Sequence, residues 1–158
     1  MSTKEKEVLM KELREAFEKA KTEIGFVSSF EEIEEIFFIK DRILSDGFVS
    51  ENFPRQMCHR ISDALGWWVG YLHSLLMPNP QSLTNLTEAK IFNEEERKNI
   101  KDLIKGAMAL ESLNTLAELE KDLTKNKEFI DGAVKFWKEK FKPGIAYVVR
   151  KINNGWGE

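Results

Sequence analysis

Residues 53–77, FPRQMCHRISDALGWWVGYLHSLLM, decide the fold class of this chain. Met57, Ile61, Ala64, Leu65, Trp68, Leu72 and Leu75 recur at spacings of three and four, the period of a helix with one apolar face. Asn52 followed by Pro54 supplies a helix start, and Pro78 a stop. On another side Ser62, Gly66, Gly70 and Ser74 repeat at every fourth residue, flanked by Asp63, Trp67, Tyr71 and His73. A glycine inside a helix costs about 0.5–1 kcal/mol relative to alanine, so two of them predict an unusually close approach by another backbone or a ligand. A helix apolar on one side and smooth on the other reads as the central helix of a bundle, with a neighbour against its glycines. A self-associating surface, or a pocket floored by Gly66 and Gly70, is the alternative.

Helical punctuation continues outward from this segment in both directions. Towards the N-terminus, Leu9, Leu13, Ala16, Phe17, Ala20 and Ile24 form one face of a helix over about 4–24, closed by Gly25. Ser29 and Glu32 make a capping-box pattern that opens a second helix, running to Asp46 and Gly47. Towards the C-terminus, residues 78–92 carry Pro78, Pro80 and several Ser, Thr and Asn, and read as a long loop. Asn93 with Glu94, Glu95 and Glu96 caps a fourth helix. It either runs to about Leu123 or restarts at the second capping-box pattern, Thr115 and Glu118. A fifth helix is expected over about 127–141, and a short final one after Pro143, with residues 153–158 a frayed tail that Trp156 is placed to pin. The expectation is an all-α, single-domain bundle of five to six helices around a central apolar third helix, about 53–77.

With 158 residues, 42% hydrophobic, eleven Phe and four Trp, the chain has ample material for one core. A net charge of −3 and a pI near 5.6 argue against a surface devoted to phosphate backbones or anionic membranes. The most apolar run, Ala64–Met77, is shorter than the roughly 20 residues a bilayer requires, so no membrane association is expected. One cysteine, Cys58, and a charged N-terminus point to the cytoplasm. Few Gln, His and Cys beside abundant Lys, Glu and Ile match a composition found in thermophiles.

No reactive constellation emerges from the sequence. Carboxylate-bridged metal sites in helical bundles use Glu-x-x-His, but Gln56 and Gly70 stand three residues before His59 and His73. His59 and Asp63, one turn apart, lack a third ligand. Glu31, Glu32, Glu34 and Glu35 repeat the Glu-x-x-Glu spacing of magnesium-dependent pyrophosphatases, but the only Glu-x-x-Asp, Glu128 and Asp131, is distant, and a solvated acidic face explains the run. Cys58 and His59, as consecutive helical residues, diverge by about 100°. No metal, cofactor or catalytic residue is expected.

Two binding surfaces are suggested. The first is the close-contact face of the third helix: His59, Asp63, Gly66, Trp67, Gly70, Tyr71 and His73. The second follows from charge segregation. Residues 28–51 carry seven carboxylates against Lys40 and Arg42, while residues 121–158 carry nine Lys/Arg against five acids, so the acidic stretch Glu31–Glu51 and the basic stretch Lys135–Lys151 are expected to attract, within one molecule or between two. Within the basic segment, Lys135, Trp137, Lys138, Lys142 and Arg150 suit single-stranded nucleic acid, whose bases stack on rings and whose phosphates meet cations. Protein–protein interaction, including self-association, is the leading reading. A ligand site near His59, Asp63, Tyr71 and His73 is the second, and a nucleic-acid accessory role the third.

Overall fold

The computed structural model describes residues 1–158 and is all-helical. In chain order the elements are α1 (Thr3–Ile24), α2 (Phe30–Phe37), α3 (Ile39–Asp46), α4 (Phe53–Leu76), α5 (Leu83–Ala89), α6 (Glu94–Glu120) and α7 (Leu123–Phe136). A π turn (Trp137–Phe141) then leads into α8 (Lys142–Gly157). Local chemistry sets most of these boundaries. Ser2/Glu5, Ser29/Glu32 and Asn93/Glu96 form reciprocal capping boxes, and Gly25 and Gly47 end α1 and α3 at φ +86° and +82°, where a side chain would be strained.

α4, the third helix of the sequence reading, lies at the centre. Met57, Ile61, Leu65 and Leu72 are fully buried, and the helix packs against α6 most extensively and also against α1, α5 and α7. Phe17, Phe26, Phe37, Phe129 and Phe141 complete the same core.

The expected count of five to six helices is too low, for reasons that lie in particular residues. The segment after Ser29 is split at Phe38, which adopts a left-handed conformation with φ +54°. Arg60 Nε donates to the Phe37 carbonyl at 2.6 Å, and Glu34 accepts from Lys40 N at 2.9 Å. Residues 78–92, expected as a loop, contain α5, capped by Ser82 and tied to the end of α4 by Asn85 Nδ2 donating to Ser74 O at 3.0 Å. α6 is one helix, because Thr115 Oγ1 donates to Glu111 O within it instead of capping a new one. α7 starts at Leu123 instead of near 127, since Asp122 caps Thr124 and Lys125. Residues 153–158 do not begin a frayed tail: α8 continues to Gly157, Gly155 lies against Ile91, and Trp156 Nε1 donates to Glu88 at 2.9 Å.

The close contact expected at Gly66 and Gly70 is absent. A Cβ added at either would meet nothing within 4 Å, and both residues face solvent. The close approaches occur at other glycines. Gly106 lies under the Phe136 ring, Gly144 under Leu103 and Gly132 under Leu110, where α6 packs on α7 and α8. The stripe of four small residues reflects helical spacing, but its glycines point away from α6.

Candidate functional site

Each side chain suggested for the third-helix site has a definite place, and the structure divides them among separate surroundings. His59 Nε2 lies 3.4 Å from Glu118 on α6, whose other carboxylate oxygen accepts from Arg55 Nε at 2.7 Å. Arg55, more than His59, holds the Glu118 carboxyl below its usual range. Cys58 lines the same depression, but burial pushes its thiol up to about 12, so it stays protonated and unreactive at neutral pH. Asp63 faces elsewhere: Arg42 Nη1 donates to it at 2.8 Å while Arg42 Nε holds Asp46 at 3.1 Å. Tyr71 lies parallel to Trp67, 6.2 Å between centroids, and edge-on to Trp68 at 5.8 Å, while His73 is exposed. His59, Asp63, Tyr71 and His73 therefore do not converge on one ligand-sized site, and no group of three or more His, Cys, Asp or Glu side chains is arranged to hold a metal ion.

The structure instead brings the two sequence-derived surfaces together. A cleft of about 690 Å³ runs between α4, the α2–α3 break and the π turn. Asp63, Ala64, Trp67 and Trp68 line it from α4, and Trp137, Lys138 and Lys142 from the π turn and the start of α8. Glu35, Ile36 and Phe38 close it from the acidic segment, with Arg60 between. Lys135 and Arg150, grouped with these residues in the sequence, are exposed but do not line it. The acidic and basic segments meet at its edge, where Lys138 Nζ donates to Glu32 and, as the largest influence, holds that carboxyl below its usual range. One ion pair of the expected attraction is thus formed within one molecule.

Backbone irregularity shapes the cleft. Lys142 N–H donates to Trp137 O five residues back, the widened π-turn bond, and sets Trp137, Lys138 and Lys142 along one wall. Trp137 leans on Phe37 and Trp68, at 6.3 and 6.5 Å between centroids. Trp67 meets Trp68 edge-on at 4.7 Å yet is 66% exposed, and Phe38 is 50% exposed. Sequence reasoning missed Phe38 and Arg60. Phe38 had no glycine or proline to mark its turn, and the role of Arg60 depends on a carbonyl 23 residues away.

A second feature is the open side of α4. At about 100° per residue, Asp63, Gly66, Gly70, His73 and Met77 fall within one quadrant of the helix, with Trp67 at its boundary with the cleft. All are exposed, Met77 at 69%. Ser62 is the stripe residue that reaches α6: its hydroxyl donates to Glu111 Oε2 at 2.5 Å, whereas Ser74 Oγ donates to Tyr71 O within α4. Glu111 Oε1 is buried without a partner, and burial pushes this carboxyl above its ordinary value. No helix of the chain is long and apolar enough to cross a membrane. Comparison with known proteins yields no matching family model, no matching curated protein and no matching solved structure.

Proposed function

We propose that this is a non-catalytic, single-domain protein of the cytoplasm that acts through protein–protein contact, with the open side of α4 as its contact face. The observation that carries the reading is the exposure of this face. Two helix-weakening glycines have no neighbour inside the chain, and the same side of α4 carries Trp67 and Met77, two of the most exposed large side chains. Tryptophan is over-represented among the residues that dominate binding at interfaces.

The first partner to test is a second copy. A two-fold contact pairs residue i with j and j with i. An antiparallel crossing centred near Trp68 sets Gly66 of one copy against Gly70 of the other, and Asp63 against His73. The Gly–Gly approach lets the backbones come close, and at both ends His73 meets Asp63, one of whose carboxylate oxygens accepts from Arg42 of its own copy.

Sedimentation equilibrium of the purified chain tests this, beside the double variant Gly66→Leu/Gly70→Leu. A dimer is expected for the wild-type chain, and a monomer with unchanged helical circular dichroism for the variant, because both sites are open within one copy. A wild-type chain that stays monomeric up to high micromolar concentration, or a variant that remains dimeric, would overturn self-association through this face.

A further inference from the structure

We propose that the cleft between α4, the α2–α3 break and the π turn binds a planar aromatic molecule carrying a phosphate or carboxylate. The inference does not require self-association: the cleft opens on the flank of α4 that bears Ala64 and Trp68, and shares only Asp63 and Trp67 with the glycine face.

Three unusual features of the molecule meet at this cleft. Phe38 is a bulky residue in the left-handed region, half exposed where burial would be expected. Only one other non-glycine residue, Lys121 at the end of α6, has positive φ, and it lies outside the cleft. The π turn interrupts an otherwise continuous helical path from α7 to α8. Single π turns and strained φ/ψ values concentrate at functional sites because only a specific local arrangement justifies their cost. Trp67, the most exposed aromatic ring of the chain, stands at the same mouth.

The lining specifies the chemistry of the ligand. Trp67, Trp68, Trp137 and Phe38 line the cleft, and aromatic rings favour a flat ring system that stacks on their faces or packs against their edges. Pairing within the chain removes some of the charge: Lys138 is neutralised by Glu32 and Asp63 by Arg42. Arg60, Lys142 and Glu35 remain without an ion-pair partner, which leaves two cations against one carboxylate. Arg60 is half-buried and uses its Nε on the Phe37 carbonyl, so its terminal N–H groups form the fork suited to phosphate or carboxylate. The volume of about 690 Å³ falls within the range of about 300–1,000 Å³ typical of small-ligand sites and suits one nucleotide-sized molecule, not a polymer.

Calorimetric titration of the full chain, with tryptophan emission as a second readout, tests the proposal against four probes: adenosine 5′-monophosphate, indole-3-acetate, adenosine and inorganic phosphate. At least one of the two planar anions is expected to bind about tenfold or more tightly than both adenosine and inorganic phosphate, and which one binds separates a nucleotide from an aryl-carboxylate ligand. Lys142→Glu is expected to weaken that binding by about tenfold or more, and Phe38→Ala to weaken it as well. Lys135→Glu, the same charge change outside the cleft, should leave it intact. No binding of either planar anion, equal binding of adenosine and the planar anions, or equal losses for the Lys135 and Lys142 variants would overturn the proposal.

Discussion

Glycines on the two sides of the bundle have opposite surroundings. Gly106, under Phe136, and Gly144, under Leu103, let α6 approach the α7–α8 segment so closely that an added Cβ would sit 2.5–2.8 Å from a neighbouring side chain. Gly66 and Gly70 on α4 have empty space above them. The first pair serves the fold. The second pair weakens its helix with no return inside the chain, and we propose that its benefit lies at an external contact. Spacing alone did not separate the two cases: the regular stripe of α4 drew attention, while the packed glycines stand singly among unrelated neighbours.

The largest effect should come from the packed side. Gly106→Ala puts a methyl group 2.5 and 2.7 Å from carbons of the Phe136 ring, which is itself stacked on Phe141 at 5.0 Å and has little room to move. Overpacking of about 2 kcal/mol, the middle of the usual range, outweighs the gain of about 0.5–1 kcal/mol from removing a helical glycine, so chemical denaturation should show a net loss of about 1–1.5 kcal/mol. Unchanged stability would mean that the ring yields freely and that the two glycine classes are not distinct.

The opposite sign is expected on the open side. Gly66→Ala and Gly70→Ala should each stabilise the monomer by about 0.5–1 kcal/mol, measured at protein concentrations low enough to avoid association. A lower melting temperature under those conditions would show a neighbour where none is seen.

The smallest effect concerns Ser62, the stripe residue whose hydroxyl reaches α6. Glu111, which accepts its hydrogen bond, has a carboxyl pushed up chiefly by burial, with Ser62 opposing and Asp63 adding to the rise. A carboxyl whose folded-state pKa lies above its unfolded value favours the folded state while protonated, and that contribution is lost as pH rises through the folded value. Glu111→Gln keeps an acceptor for Ser62 without the charge. It should therefore melt higher than the wild-type chain at neutral pH, and the gain should vanish as pH falls below the ordinary carboxylate range. A wild-type chain that melts higher at neutral pH would contradict a buried, poorly solvated Glu111.

Where one residue carried both signal and cause, the fold was legible in the sequence. Ser29 with Glu32, Asn93 with Glu96, Asn52 before Pro54, and Gly25 and Gly47 mark boundaries by local hydrogen bonds or φ values, and the structure has them as read. Boundaries set by distant partners were not legible. Phe38 turns with support from Arg60 on another helix. The pattern at Thr115 and Glu118 looks like a cap, but Thr115 bonds back to Glu111 while Glu118 is engaged by Arg55. The candidate cleft was half legible. Asp63 and Trp67 were grouped from one helix, and Trp137, Lys138 and Lys142 from another segment, but only tertiary packing shows that the two groups share one cavity.

The most direct test of the open face as an interface is a mixed cross-linking experiment with Gly66→Cys and Gly70→Cys chains. The native Cys58 is buried and protonated, so it should not interfere. A disulfide needs Cα atoms about 5.5–6 Å apart, a distance that only a close backbone crossing provides. An antiparallel two-fold contact centred near Trp68 brings position 66 of one copy to position 70 of the other. Mild oxidation of the mixture should therefore yield a 66–70 disulfide dimer faster than either chain alone forms a dimer. Absence of that mixed dimer, or faster 66–66 and 70–70 cross-linking, would contradict the proposed face and register.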